Sequence, residues 1–156
     1  MEWLTDLQYV AKVAAAYLLA IPVGYAREKE AHSVGVRTFP VVAMASCGYV
    51  LIGTTFGTHS PDTTSRILQG VVAGIGFVGG GAILKSDSHV HGTATAASIW
   101  NIAAMGACVA LDHYLLALAL ALLNLITLRW LLPVKRLIDS GPELRPTSIA
   151  KPVHDD

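Results

Sequence analysis

Five long apolar stretches, separated by short polar joints, account for most of the chain. They run over 7–25, 39–57, 67–84, 94–111 and 114–132. Each holds about 18 or 19 residues, which as helix would reach roughly 27–29 Å, enough to cross a hydrocarbon core about 30 Å thick. The pattern predicts an all-α, polytopic membrane bundle of five transmembrane helices over 1–132, followed by a short, flexible cytoplasmic tail over 133–156. Five spans place the termini on opposite sides of the membrane.

The basic residues then give the direction. With the N-terminus outside, Arg27, Lys29, Arg37, Lys85, Arg129, Lys135, Arg136, Arg145 and Lys151 all fall on the inner side, and Arg66 falls in an outer joint. That bias predicts an N-out, C-in topology. A cleaved signal peptide is the alternative for the first stretch. Glu2 and Asp6 give it an acidic front, and it is long for a typical signal core.

Composition agrees with a membrane protein. Of 156 residues, 53% are apolar and 14% charged, against about 25% charged in an ordinary soluble domain; the mean hydropathy is +0.54. Eleven basic residues balance eleven acidic ones, so the basic footprint of a nucleic-acid binder is absent. Cys47 and Cys108 lie inside apolar stretches and suit small packing positions; they form no disulfide framework or zinc motif.

The small and polar residues within the stretches carry the candidate chemistry. In the third, Gly70 and Gly74, and Gly76 and Gly80, are four apart, which strips two helix faces of side chains and predicts a central packing helix. Gly74, Gly76 and Gly79 also fit a dinucleotide-binding spacing. That motif needs a preceding strand, whereas here it lies inside an apolar stretch. The Gly79, Gly80, Gly81 triplet could equally mark a kink or unwound turn. The fourth stretch aligns Ala97, Asn101, Ala104 and Cys108 on one stripe; Asn101 there, and Asn124 in the last stretch, need an interhelical hydrogen bond or a ligand.

Lys12 stands out because an ammonium inside a span is costly. It either snorkels outward toward Asp6 or faces protein or a water-filled cavity, forming with Asn101 and Arg66 a candidate polar intramembrane site. No span interior contains Asp or Glu, which weighs against a simple magnesium channel; backbone carbonyls at the glycine triplet could still line a path. Pro22 should kink the first helix, and Pro40 suits the first turn of the second.

Two inner joints hold the most specific patterns. The first, 27–38, has alternating charge, Gly35 suited to a turn, and Thr38 placed to cap the next helix. The second, 85–95, contains His89 and His91, whose two imidazoles alone make a weak metal site. No P-loop or phosphorylatable aspartate motif occurs, so no ATPase activity is expected.

These joints resemble those of the MgtC/SapB family of bacterial membrane proteins. Arg27, Gly35, Arg37 and Thr38 carry one motif. The glycine stretch, Lys85, His91, Gly92, Thr95 and Trp100 carry the other, and Arg66 and Gln69 also fit. The resemblance covers about 5–135 and implies a multi-pass inner-membrane protein without enzymatic activity; no cofactor is expected, and the glycine faces suit self-association in the bilayer as well as internal packing. It implies links to low-magnesium growth, virulence and survival in macrophages, and for some members restraint of the rotary ATP synthase by intramembrane contact. The chain departs from the pattern at Ala26, where the family usually has an acid, and at His91, where it usually has a base. The 24 residues after the fifth stretch are too short for the soluble C-terminal cytoplasmic domain of the virulence members, so a short form is expected. The expected function is regulation through intramembrane contacts; the alternatives are a small oligomeric transporter or channel for an ion or small solute, and a structural scaffold.

Overall fold

In the computed structural model, residues 2–31, 35–56, 61–86 and 89–139 are described. They form helices α1 (Glu2–Ala31), α2 (Thr38–Phe56), α3 (Pro61–Gly81), α4 (Thr93–Ala110) and α5 (Tyr114–Asp139), with strands β1 (Leu84–Ser86) and β2 (His89–His91) between α3 and α4. Local chemistry explains several boundaries. Lys29 in the last turn of α1 complements the helix C-terminus. Pro61 opens α3, where its missing N–H costs nothing, and Asp62 follows at the positive helix end. Pro22 lies inside α1, which continues past it to Ala31.

Among the described residues, four helices are long and apolar enough to cross a membrane: they hold Trp3–Lys29, Thr38–Thr55, Thr93–Ala110 and Tyr114–Leu131. The chain is therefore a multi-pass helical membrane protein. The third stretch differs from expectation in two ways. Its helix begins earlier, at Pro61, so polar residues enter it and dilute its hydropathy, and it ends at Gly81 rather than at 84. Ala82 N–H bonds to Gly79 O and Ile83 N–H to Gly80 O, a tightening that closes the helix at the glycine triplet. Leu84 instead starts an antiparallel hairpin, pairing with His91 while Lys85 pairs with Val90. The hairpin is a short addition, in the joint between α3 and α4, to an otherwise all-helical fold of five helices. The last helix also overruns its predicted end, continuing to Asp139; of the predicted tail, 140–156 lie outside the described residues.

The centre of the bundle is α4, which packs on all four other helices. More than half of its span is buried (56%), against 39% for α2 and 22% for α1 and α5. Ile99, Ile102 and Met105 from α4 meet Phe39, Ala43, Cys47 and Val50 from α2, and Ala16, Ala20 and Val23 from α1, in one core. The expectation that α3 is the central packing helix is thus overturned. Gly70, Gly74, Gly76, Gly80 and Gly81 are exposed and face open space. Gly79 is buried, beside Ala96. A glycine pair lets another backbone approach, but it does not supply one.

The close approaches occur elsewhere. A side chain on Gly106 of α4 would strike the carbonyl oxygen of Ala43, so the α2–α4 crossing depends on this glycine. Gly53 similarly accommodates the Ile67 side chain, joining the end of α2 to the start of α3. Since Gly79 meets Ala96 near the start of α4, α3 runs the length of the bundle.

Candidate functional site

Two cross-bundle links tie α1 to α4 and define the polar ends of the molecule. At one end, Lys12 Nζ donates to the Ala110 carbonyl at 3.1 Å and to Asp112 Oδ2 at 2.8 Å. At the other, Arg27 Nε donates to Thr95 Oγ1 at 2.8 Å. Lys12 and Arg27 are fifteen residues apart on α1, as Ala110 and Thr95 are on α4, so the two helices are antiparallel in matched register. At 1.5 Å per residue the links are about 22 Å apart.

The Arg27 end is closed. Arg27 is only 9% exposed and Thr95 is buried. Beside them Val36 N–H donates to Glu28 Oε2 at 2.7 Å, and Phe39 N–H bonds to Gly35 O, so the joint folds back on α1 before α2 begins at Thr38. A side chain on Gly35 would strike the Gly24 carbonyl and the Glu28 backbone nitrogen. Gly35 is thus required by close contact rather than by turn geometry; among the described glycines the positive φ belongs to Gly92, at 85°. Gly92 precedes α4 and presses on the Ala82 carbonyl. Of the two family-type motifs, the fold brings Arg27 to Thr95, while Arg37, Lys85, His91 and Trp100 lie on the surface. His89 and His91 are alternate positions of β2, and no group of three metal-ligating side chains occurs among the described residues.

The Lys12 end is open. A cavity of about 550 Å³ is lined by Gln8, Ala11, Lys12, Ala15, Asp112 and Tyr114. Tyr114 Oη donates to Asp112 Oδ1 at 2.7 Å. Asp112 occupies the α4–α5 turn at a φ of 62°, a left-handed conformation that Asp tolerates better than most residues. The Lys12 and Tyr114 hydrogen bonds hold its carboxyl below the usual aspartate range. Lys12 therefore takes the second of its two expected routes, facing protein and an open cavity; its partner is Asp112, not Asp6. The sequence signal was available, since Asp112 is an acid at the polar break between two apolar stretches.

The other candidates are dispersed. Asn101 Nδ2 donates to the Leu120 carbonyl at 3.1 Å, and Ser98 donates to Asn124 Oδ1 at 3.0 Å; both are interhelical bonds from α4 to α5. Asn124 Nδ2 is buried without a partner among the described residues. Arg66 lines a separate polar cavity with Asp62, Ser65 and Gln69. Lys12, Asn101 and Arg66 thus do not form one site. The exposed face of α3 makes, with α2, an apolar groove of about 710 Å³ lined in part by Val42, Tyr49, Gly70, Val71, Gly74 and Val78.

Exposed Trp3 and Tyr114 toward one end, and Tyr25 and Trp130 toward the other, add the aromatic positions expected at two bilayer interfaces. A polytopic helical bundle with a glycine-rich outer helix and a closed arginine end is the class these features define. The chain belongs to the MgtC family, whose pattern it matches over residues 13–137. It is 34% identical over 117 residues to Protein MgtC of Salmonella typhimurium, covering 75% of this chain and 49% of that protein. It is 30% identical over 150 residues to Protein SapB of Bacillus subtilis, covering 92% and 64% respectively. Protein SrpB of Synechococcus elongatus is 33% identical over 129 residues, covering 75% and 71%. The chain spans about half the length of the MgtC relatives. No solved structure matches it.

Proposed function

We propose that this protein is a non-enzymatic regulator in a bacterial inner membrane, lying N-out and C-in, which acts by packing the outer face of α3 against a helix of another membrane protein. The observation that carries this reading is the placement of Gly70, Gly74, Gly76, Gly80 and Gly81 on the outside of the bundle, beside the α2–α3 groove. Lipid tails are as apolar as leucine, so helix association in a bilayer depends on close packing, and exposed glycines permit it. Family membership makes a role in low-magnesium adaptation or virulence the setting to test, with the rotary ATP synthase as the first partner to examine. The topology rests on the nine-to-one distribution of basic residues.

The test is site-specific cross-linking from a Gly74→Cys variant in native membranes. The expected result is an adduct with a distinct membrane protein, lost when Gly70→Leu is added. Adducts with lipid alone would overturn the reading; adducts with a second copy would make the face a homo-oligomer interface instead. A transporter is the second reading, favoured by the open cavity at Lys12. Ion flux through the purified protein in sealed liposomes, abolished by Lys12→Leu, would establish it.

A further inference from the structure

The cavity at the Lys12 end contains a charge pair with capacity left over. An ammonium has three N–H donors; Ala110 O and Asp112 Oδ2 take two, leaving one for the cavity that Lys12 lines. Asp112 accepts one bond at each oxygen, from Lys12 and Tyr114, and its side chain is 63% exposed, so further lone pairs face outward. The pair is neutral as a unit. A simple anion drawn to Lys12 meets the carboxylate, and a simple cation drawn to Asp112 meets the ammonium. A ligand carrying both charges, a few ångströms apart, satisfies both.

The position of the cavity selects among such ligands. Asp112 lies between the spans Thr93–Ala110 and Tyr114–Leu131, at the level where two helices leave the apolar zone. Gln8, Ala11 and Ala15 line the cavity along one stripe of α1, and Leu18, on the same stripe, is exposed. On α5, Tyr114 is followed at four-residue spacing by Leu118 and Leu122, both exposed. Two apolar tracks therefore lead from the charged cavity toward the bilayer centre.

We infer that this cavity binds the phosphate and ammonium of a phosphoethanolamine headgroup, with the phosphate at Lys12, the ammonium at Asp112, and the lipid's acyl chain along the exposed leucines of α1 and α5. The site is independent of the α2–α3 face, so a regulatory contact there and a bound lipid here are compatible.

The experiment is native mass spectrometry and thermal-shift titration of the full-length protein in detergent, with phosphatidylethanolamine, phosphatidylcholine, phosphatidylglycerol and free phosphoethanolamine. Phosphatidylethanolamine should be retained in preference to phosphatidylcholine, whose quaternary ammonium donates no hydrogen bond, and to phosphatidylglycerol, which lacks the cation. Asp112→Asn should weaken retention about tenfold, the effect of losing one charge-assisted contact. Should Lys12→Gln fail to fold, Gln8→Leu, which leaves the Lys12–Asp112 pair intact but removes a lining amide, still reports on the cavity and should lower retention. Equal retention of the three lipids, or retention unchanged in Asp112→Asn, overturns the site. Free phosphoethanolamine binding as tightly as the lipid would support the zwitterion chemistry and overturn its lipid source.

Discussion

Helices α3 and α4 adjoin each other, yet their small residues serve opposite ends. Six glycines lie between positions 70 and 81 of α3, and five of them face open space. In α4, Gly106 alone fills the equivalent role, and the α2 backbone lies against it at Ala43. What distinguishes the two is the partner, not the glycine count. Alanines and β-branched residues of α4 already fill the space between α1, α2 and α5, so the single glycine falls where two backbones cross. On α3 the same residue type leaves a smooth outer surface.

Substitutions at equivalent glycines can break this contrast. Gly106→Leu should be the most damaging, since the added side chain meets a backbone carbonyl that cannot rotate away. We expect a loss of about 3 kcal/mol or more, the upper end of overpacking costs, measured as loss of monodisperse protein and a lowered melting temperature in detergent. Gly92→Ala should follow, at about 1–3 kcal/mol, because it forces a side chain into a left-handed backbone conformation and against Ala82. Thermal unfolding of the purified variant reads it directly.

Thr95→Val tests whether the closed end of α4 depends on its hydroxyl. Removing the acceptor of the buried Arg27 N–H should cost about 1.5–3 kcal/mol, the range for a hydrogen bond to a charged group; a denaturation midpoint equal to that of the native chain would show that Arg27 re-pairs without loss. The open end should respond to acid in a defined direction. The carboxyl of Asp112 titrates below its ordinary value when folded. Its contribution is therefore present above the unfolded value, near 3.9, and is lost as pH falls through the lower folded value. Between pH 7 and 5 the difference in stability between the native chain and Asp112→Asn should stay constant, then shrink below about pH 4. Gly74→Leu is the smallest expected effect on stability, within about 0.5 kcal/mol. Added to a Gly70→Cys cross-linking variant, the same substitution should nonetheless abolish cross-links from the α3 face, which would separate folding from association.

Much of this architecture was legible in the chain. Apolar runs mark all five helices, four of which are long and apolar enough to span, and the first polar joint marks the Arg27 end because charge and glycine recur there at close spacing. The outward direction of the α3 glycines was not legible: periodicity shows that a face lacks side chains, but a face's neighbour is a property of the whole bundle. Lys12 illustrates a second limit. Its place inside the first apolar stretch left snorkelling toward Asp6 and a contact with protein both open, and the partner that decides between them, Asp112, is a hundred residues away. The hairpin escaped notice because two three-residue strands, one reached directly from an apolar helix, carry too little alternation to separate from the helix itself.

The matched register of Lys12 and Arg27 against α4 acts as a gauge of bilayer thickness. Two cationic groups fixed about 22 Å apart along antiparallel helices sit closer together than the two faces of an average hydrocarbon core, roughly 30 Å. Neither link can lengthen without breaking its hydrogen bonds, so a bilayer of average thickness is expected to thin around this part of the molecule, since tilting α1 and α4 would only shorten the distance the two cations span. The protein should accordingly unfold at its highest temperature in short-chain lipids and cluster in long-chain ones, where sharing a thinned annulus lowers the cost of each copy.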